Sequence, residues 1–277
     1  MSSSPNSLYS SSPDEEGGLL RPPEPGAPLI SFRDISKAFG DNVVLNDVDL
    51  EIFPGESVAI MGRSGSGKTV LTSMLVGISI PDHGSVTVAG MDLTQFKTED
   101  DWRDLCLKTG YLFQGSALYD SMTVGENVAF PMVQHTQWSE AEIARRVSEK
   151  LDQVGLAGTE SMEPSELSGG MQRRAALARS LALDPQIIIY DEPSAGLDPV
   201  TGAEIGQLMR RLQRALKVTS VVVTHDLHLA ELVADRVALL FQAQWCFQGT
   251  HEEFLQSSHP EVLRFLYREP PQEDKTR

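Results

Sequence analysis

Between residues 29 and 268 short apolar runs alternate with longer amphipathic stretches. The runs "SVAIM" (57–61) and "IIIY" (187–190) are almost wholly apolar, as expected of strands buried on both faces of a parallel sheet. "TSVVVT" (219–224) and "RVALLF" (236–241) follow the same pattern. In "VVLNDVDLEI" (43–52), Val48, Leu50 and Ile52 alternate with acids, the period of a strand with one face in the core. Helical spacing recurs at 68–77, 139–154, 171–183, 201–216 and 227–234. Strands alternating with helices predict an α/β fold, with phosphate sites at the carboxyl ends of strands. From about 115 to 183 no strand pattern interrupts the chain, and a helical insertion is expected there.

Both ends differ from this body. Residues 1–28 are rich in Ser, Pro, Gly and acid and are expected to be disordered, as is the tail 269–277. The formal charge is −16, of which residues 1–28 carry −3. The acidity therefore belongs to the folded part, which would repel nucleic acid and anionic lipid headgroups unless a local patch opposes the average. No apolar run approaches the ~18 residues of a membrane span, and "MSSSPNSLYSSSPDEEGG" lacks the basic start and apolar stretch of a secretory signal. Two isolated cysteines, Cys106 and Cys246, do not make a disulfide framework, so a reducing cytosol is the expectation.

Three stretches carry chemistry. In "SVAIMGRSGSGKT" an apolar strand is followed by Gly62, Arg63, Ser64, Gly65, Ser66, Gly67, Lys68 and Thr69, and then by a helix. This is the phosphate-binding loop in its strand–loop–helix setting. Glycines let successive N–H groups turn inward around phosphates, and the helix N-terminus adds about half a positive charge. Lys68 would reach the β- and γ-phosphates of ATP, and the Thr69 hydroxyl would bind Mg²⁺.

In "IIIYDEPSAGLDP", Asp191 and Glu192 follow directly on a buried strand, where a carboxylate is costly unless it has a task. Asp191 is placed to hold Mg²⁺ through water, and Glu192 to polarise the water that attacks the γ-phosphate. His225 stands at the end of "SVVVT", where a γ-phosphate contact is expected. His228 beside it could suggest a metal site, but no third ligand is near in sequence.

The third stretch is "PSELSGGMQRRAALARS". Ser168, Gly169 and Gly170 open a helical run like an anion-binding turn, yet no lysine follows them. The residues of this stretch leave open which anion the turn would bind and what supplies the rest of the site.

With this turn beside the other two motifs, the sequence resembles the nucleotide-binding subunits of ABC transporters over about residues 29–268. The resemblance implies a P-loop NTPase of the ABC type, with a mixed or parallel core sheet, an antiparallel β subdomain and a helical subdomain at about 115–183. "LSGGM" (167–171) is similar to the family's signature motif, which binds the γ-phosphate of ATP held by a second subunit's P-loop. Met171 stands where most members have glutamine; the serine and both glycines are intact. Two copies would then pair head to tail around two ATPs. Phe39 lies where the family places an aromatic that stacks on adenine, and Gln114 where it places the glutamine that reports on Mg²⁺ and the attacking water. Ser194 to Asp198 match the loop that couples the two sites, and the surface beside Gln114 is where membrane subunits dock.

A finer resemblance joins "ALYDSMTVGENVAFPMVQHT" with "MEPSELSGGMQRRAALARSLALDP" and the tail "HPEVLRFLYRE". These resemble the ATPases of Mla-type, Mce-associated lipid transport systems. That implies phospholipid transport between envelope membranes, from the cytoplasmic side of the inner membrane. The implied partners are permease subunits, a Mce-type lipid-binding protein and accessory subunits. Polar amino-acid importers share part of "MTVGEN" and are the alternative. ABC ATPases of DNA repair or translation carry coiled coils, zinc modules or paired cassettes, and this chain has one cassette and an acidic body.

Overall fold

The computed structural model describes residues 26–267; the expected disordered ends lie outside this range except for residues 26–28. The chain opens with an antiparallel pair, β1 (Ile30–Phe39) and β2 (Asn42–Ile52), in which Ile30 faces Ile52 and Phe39 faces Asn42. β3 (Ser57–Gly62) leaves that pair for a second sheet and runs into α1 (Lys68–Met74). β4 (His83–Val88) returns to pair with β1, and β5 (Met91–Asp92) pairs with β4, completing an antiparallel sheet of order β2-β1-β4-β5.

α2 (Glu99–Lys108) leads directly into the short strand β6 (Thr109–Leu112). Three helices follow without an intervening strand: α3 (Val124–His135), α4 (Glu140–Gln153) and α5 (Gly169–Ser180). Their starts are written in the sequence. Thr123 and Glu126 form a reciprocal capping box for α3, and the Ser139 and Ser168 hydroxyls accept N–H bonds at the starts of α4 and α5. β7 (Ile187–Asp191), α6 (Pro199–Leu216), β8 (Thr219–Thr224), α7 (Leu227–Val233) and β9 (Arg236–Phe241) then alternate. β10 (Gln244–Thr250), α8 (His251–Leu255) and α9 (Pro260–Leu266) end the described chain.

The second sheet has the order β10-β9-β3-β8-β7-β6. Its pairs are parallel apart from the edge hairpin of β9 with β10. Its central strands separate two apolar layers, which is why their sequences carry no polar alternation. Val58 and Ile60 of β3 join the core shared with the antiparallel sheet, while Ala59 and Met61 face α7, α8 and α9. In β7, Ile187 and Ile189 face that same shared core, whereas Ile188 and Tyr190 pack under the α3–α5 helices.

Among the strands that escape the hydrophobic pattern, β1 and β6 have identifiable reasons. β1 keeps its alternation only to Phe32, then shifts register, with Asp34 in the left-handed region at φ 54°. β6 is four residues long and includes Gly110, where a β-carbon would sit 2.1 Å from the Ser180 carbonyl oxygen. The end of α5 thus demands glycine in a strand that would otherwise read as apolar.

Candidate active site

Strand order decides which loops meet. β3, β8, β7 and β6 are consecutive and parallel, so the segments after them emerge at one carboxyl edge. These segments carry the loop 62–69, His225, the pair Asp191–Glu192, and Gln114.

After β3 the chain turns through Gly62, Gly65 and Gly67, at φ 157°, 78° and 103°. A β-carbon at Gly67 would lie 2.8 Å from the Val44 carbonyl oxygen, so β2 braces the loop from the antiparallel sheet. One at Gly62 would lie 2.5 Å from the Ser66 hydroxyl. That hydroxyl is buried with no hydrogen-bond partner among the described residues. Lys68 is buried at the helix start, and its ammonium donates to the carbonyls of Gly62 (2.9 Å) and Arg63 (3.0 Å). Burial pushes the Lys68 pKa down, and the nearby charges of Glu192 and Asp191 partly restore it. A cation short of solvent, a partnerless hydroxyl and a glycine-lined turn together suit a polyanionic ligand. Ser64, Gly65 and Ser66 also line a cleft of ≈ 610 Å³ with Asn42, Val44 and Phe241.

Asp191 ends β7 with 7% of its surface exposed, and burial raises its pKa; the Tyr111 hydroxyl donates to it at 3.3 Å. Tyr111 is itself pushed up to about 12, mainly by burial. Glu192 takes the left-handed region at φ 47°, uncommon for a non-glycine residue, and its N–H donates to Val223 of β8 at 2.9 Å. That conformation turns its carboxylate to within 3.0 and 2.9 Å of His225 Nδ1. The exposed Thr69 hydroxyl and the buried Asp191 carboxylate are hard oxygen donors, the type Mg²⁺ takes.

Other expected site residues stand further out. Gln114 is exposed two residues beyond β6. Phe39 is 56% exposed opposite Asn42, a residue of the cleft wall, with the Lys37 ammonium 5.4 Å from its ring centre. Ser168 caps α5, accepting from the Met171 N–H at 3.3 Å, so the helix starts at Gly169, two residues before the run read from the sequence. A β-carbon at Gly170 would press on the Thr201 methyl at 2.7 Å, which accounts for the second glycine by packing. Neither Lys68 nor Glu192 is a partner of Ser168.

Two residues have no site role in the sequence reading, although the Arg173–Arg174 pair supports its finer resemblance. Tyr111 lies in the unrecognised β6. Arg173 is buried in α5 and donates to the carbonyls of Phe113 (2.9 Å) and Ala195 (3.1 Å). Only its place beside the signature turn could have drawn attention to it.

The structure thus sets out a glycine-lined turn with a buried lysine, a carboxylate pair and a separate helix-start turn. The ABC transporter family matches residues 45–195, spanning the cradle, the turn and the carboxylates. The chain belongs to the ABC transporter family. It is 40% identical over 237 residues to the probable ribonucleotide transport ATP-binding protein mkl of Mycobacterium leprae, covering 86% of this chain and 68% of that one. It is 39% identical over 238 residues to the intermembrane phospholipid transport system ATP-binding protein MlaF of Haemophilus influenzae, covering 86% and 90%. Among solved structures it resembles the dimeric ATP-binding cassette MJ0796 in a post-hydrolysis state bound to ADP and Pi. That likeness has a TM-score of 0.73 at 31% identity, over 80% of this chain and 98% of that one. This ABC protein is thus an ATPase subunit whose nucleotide is ATP, and its fold is the ABC nucleotide-binding domain expected from the sequence.

Proposed function

We infer that this chain is the ATP-hydrolysing subunit of an ABC system that moves phospholipid between membranes of a bacterial envelope. The observation that carries the lipid assignment is the match to MlaF, 39% identical and spanning 90% of that protein's length. The polar amino-acid importer is not favoured, since the MlaF match runs through nearly the whole ATPase.

ATP sits with its phosphates on the 62–67 loop, Lys68 neutralises the β- and γ-phosphates, and Phe39 stacks on adenine. Thr69, Asp191 and Gln114 would hold Mg²⁺, which would supply further charge neutralisation to the phosphates. Glu192, held by His225, accepts the proton of the attacking water, and His225 also reaches the γ-phosphate. Ser168, Gly169 and Gly170 approach the γ-phosphate on a second copy of the chain, supplying a hydroxyl, N–H groups and the start of a 12-residue helix. ATP therefore closes a head-to-tail dimer, and hydrolysis reopens it. Positioning and charge, not covalent chemistry, supply the acceleration.

No helix among the described residues is long and apolar enough to cross a membrane. Attachment then depends on permease subunits, and an apolar groove of ≈ 420 Å³ beside Gln114, lined in part by Ile78, Phe113, Tyr119, Phe130 and Pro131, accepts them. The ATPase is peripheral on the cytoplasmic face, in a complex that also holds a Mce-type lipid-binding protein and accessory subunits.

The test is purification of the complex from its native membrane through a tag on this chain, with mass spectrometry of proteins and lipids. A permease and a Mce-type protein carrying phospholipid are expected. A permease with a soluble amino-acid-binding protein and no enriched lipid would overturn the lipid assignment.

A further inference from the structure

Arg173 occupies a position that phosphate binding does not explain. It lies one turn into α5 from the Ser168–Gly170 start and is 4% exposed. Its neighbour Arg174 has a carboxylate, Glu204, at 3.1 Å, but among the described residues Arg173 is met by two backbone carbonyls alone, and its Nε is buried without a partner. Burial accordingly lowers its pKa. A buried cation so incompletely compensated is a cost to the fold.

The two carbonyls belong to segments flanking the chemistry. Phe113 directly precedes Gln114, and Ala195 lies three residues beyond Glu192, inside the 194–198 loop. Further along α5, Arg179 donates to the carbonyls of Ser116 (2.9 Å) and Ala117 (2.7 Å). Those two residues hold the left-handed region at φ 61° and 49° without being glycine, a conformation the arginine bonds help to maintain. The Gln114 loop therefore hangs from α5 by three guanidinium–carbonyl bonds, and one of the same guanidinium groups also grips the 194–198 loop.

We propose that Arg173 is a positioning residue that locks α5, the Gln114 loop and the 194–198 loop into one unit. Docking of Ser168–Gly170 on the partner's ATP then sets Gln114 and the carboxylate side of this chain's own site. This rests on the divided site described above. A guanidinium suits the task because its rigid fork serves two acceptors at fixed angles, with bonds stronger than those of a neutral donor. A lysine ammonium would be a single flexible point of attachment. Movement of α5 is thus passed to both loops together, and the two ATP sites of a dimer become coupled.

The experiment uses the 277-residue chain and the variants Arg173→Met and Arg173→Lys, each also with Gln114→Ala. Amide exchange is followed by mass spectrometry over 113–117 and 194–198, with 62–69 as internal reference, alongside kcat and KM for ATP. In Arg173→Met, exchange should quicken in both loops and stay unchanged at 62–69. kcat should fall about 10–100-fold with KM held within about twofold, the loss of charge-assisted bonds that orient but do not bind nucleotide. Arg173→Lys should lie between. With Gln114 already replaced, Arg173→Met should cost less than about threefold more, because the two act through one loop. Quickened exchange in only one loop, exchange rising across the whole domain, or full multiplication of the two kcat losses would overturn the proposal. A wild-type chain without ATP hydrolysis would refute the ATPase function instead, and the exchange data would still decide the role of Arg173.

Discussion

Replacing Gly67 and Gly65 by alanine, separately, measures how far the antiparallel sheet shapes the nucleotide loop. Both glycines lie in the left-handed region, at φ 103° and 78°. That conformation costs an L-residue about 1–2 kcal/mol in either place. Their surroundings differ. Nothing lies within 4 Å of a β-carbon at Gly65, whereas one at Gly67 meets the Val44 carbonyl oxygen at 2.8 Å, Val44 Cγ1 at 3.0 Å and Leu45 Cδ2 at 3.2 Å. Val44 and Leu45 are held in β2, so the loop must give way, adding about 1–3 kcal/mol of overpacking. Gly65→Ala should therefore lose about 1–2 kcal/mol, and Gly67→Ala about 2–5 kcal/mol. Each kcal/mol shifts Tm by about 2–4 °C in a domain of this size. Thermal unfolding without nucleotide should then place Gly67→Ala at least about 2 °C below Gly65→Ala. Moving the loop off β2 would also misalign the N–H groups proposed to bind phosphate. Titration with a fluorescent ATP analogue should show affinity falling about tenfold or more in Gly67→Ala, a loss of ~1.4 kcal/mol. Equal Tm and equal affinity in the two variants would refute the idea that β2 sets the cradle.

Three further outcomes are expected. Glu192→Gln keeps the shape beside His225 but removes the proposed base, so steady-state hydrolysis should drop about 10²–10⁴-fold while ATP traps a dimer on gel filtration; unaltered turnover would exclude Glu192 as the base. On the proposal that Ser168 and Lys68 serve different copies, specific activity should rise with protein concentration at low micromolar levels, and strict proportionality down to dilute monomer would contradict the divided site. The Asp235 carboxyl is raised by burial, but its bonds with Arg210 (2.8 Å) and the Ser57 N–H (2.9 Å) prevail and hold it below its ordinary 3.8. A depressed pKa contributes stability above the unfolded value that is lost as pH falls through the folded one. Asp235→Asn should thus unfold at a lower temperature at pH 7, with the gap closing below about pH 4; a gap constant with pH would assign the effect to packing.

The apolar runs at 57–61, 187–190, 219–224 and 236–241 announced their strands because burial on both faces removes every polar position. Glu192 was recognised by its place after such a run, and its φ of 47° was not, since nothing in "DEPSAG" marks a left-handed glutamate. β6 went unseen because Gly110 answers to the Ser180 carbonyl, 70 residues away. Tyr111 and Arg173 were given no site role for the same reason, as their partners are loops and carboxylates remote in sequence.

By itself the sequence pointed to the two proposed half-sites. Each is local: a strand, a glycine turn and a helix within 13 residues for Lys68, and a serine cap with two glycines for α5. Spacing along one short segment suffices to aim N–H groups and a helix end at an anion. Tertiary structure alone decided which distant residues share the site. The order β3-β8-β7-β6 places Lys68, His225, Asp191–Glu192 and Gln114 on one edge, while Ser168 begins α5, whose two opening glycines pack against Leu197 and Thr201. Strand order rests on long-range pairing and on which apolar faces are buried against each other, and no local spacing encodes it.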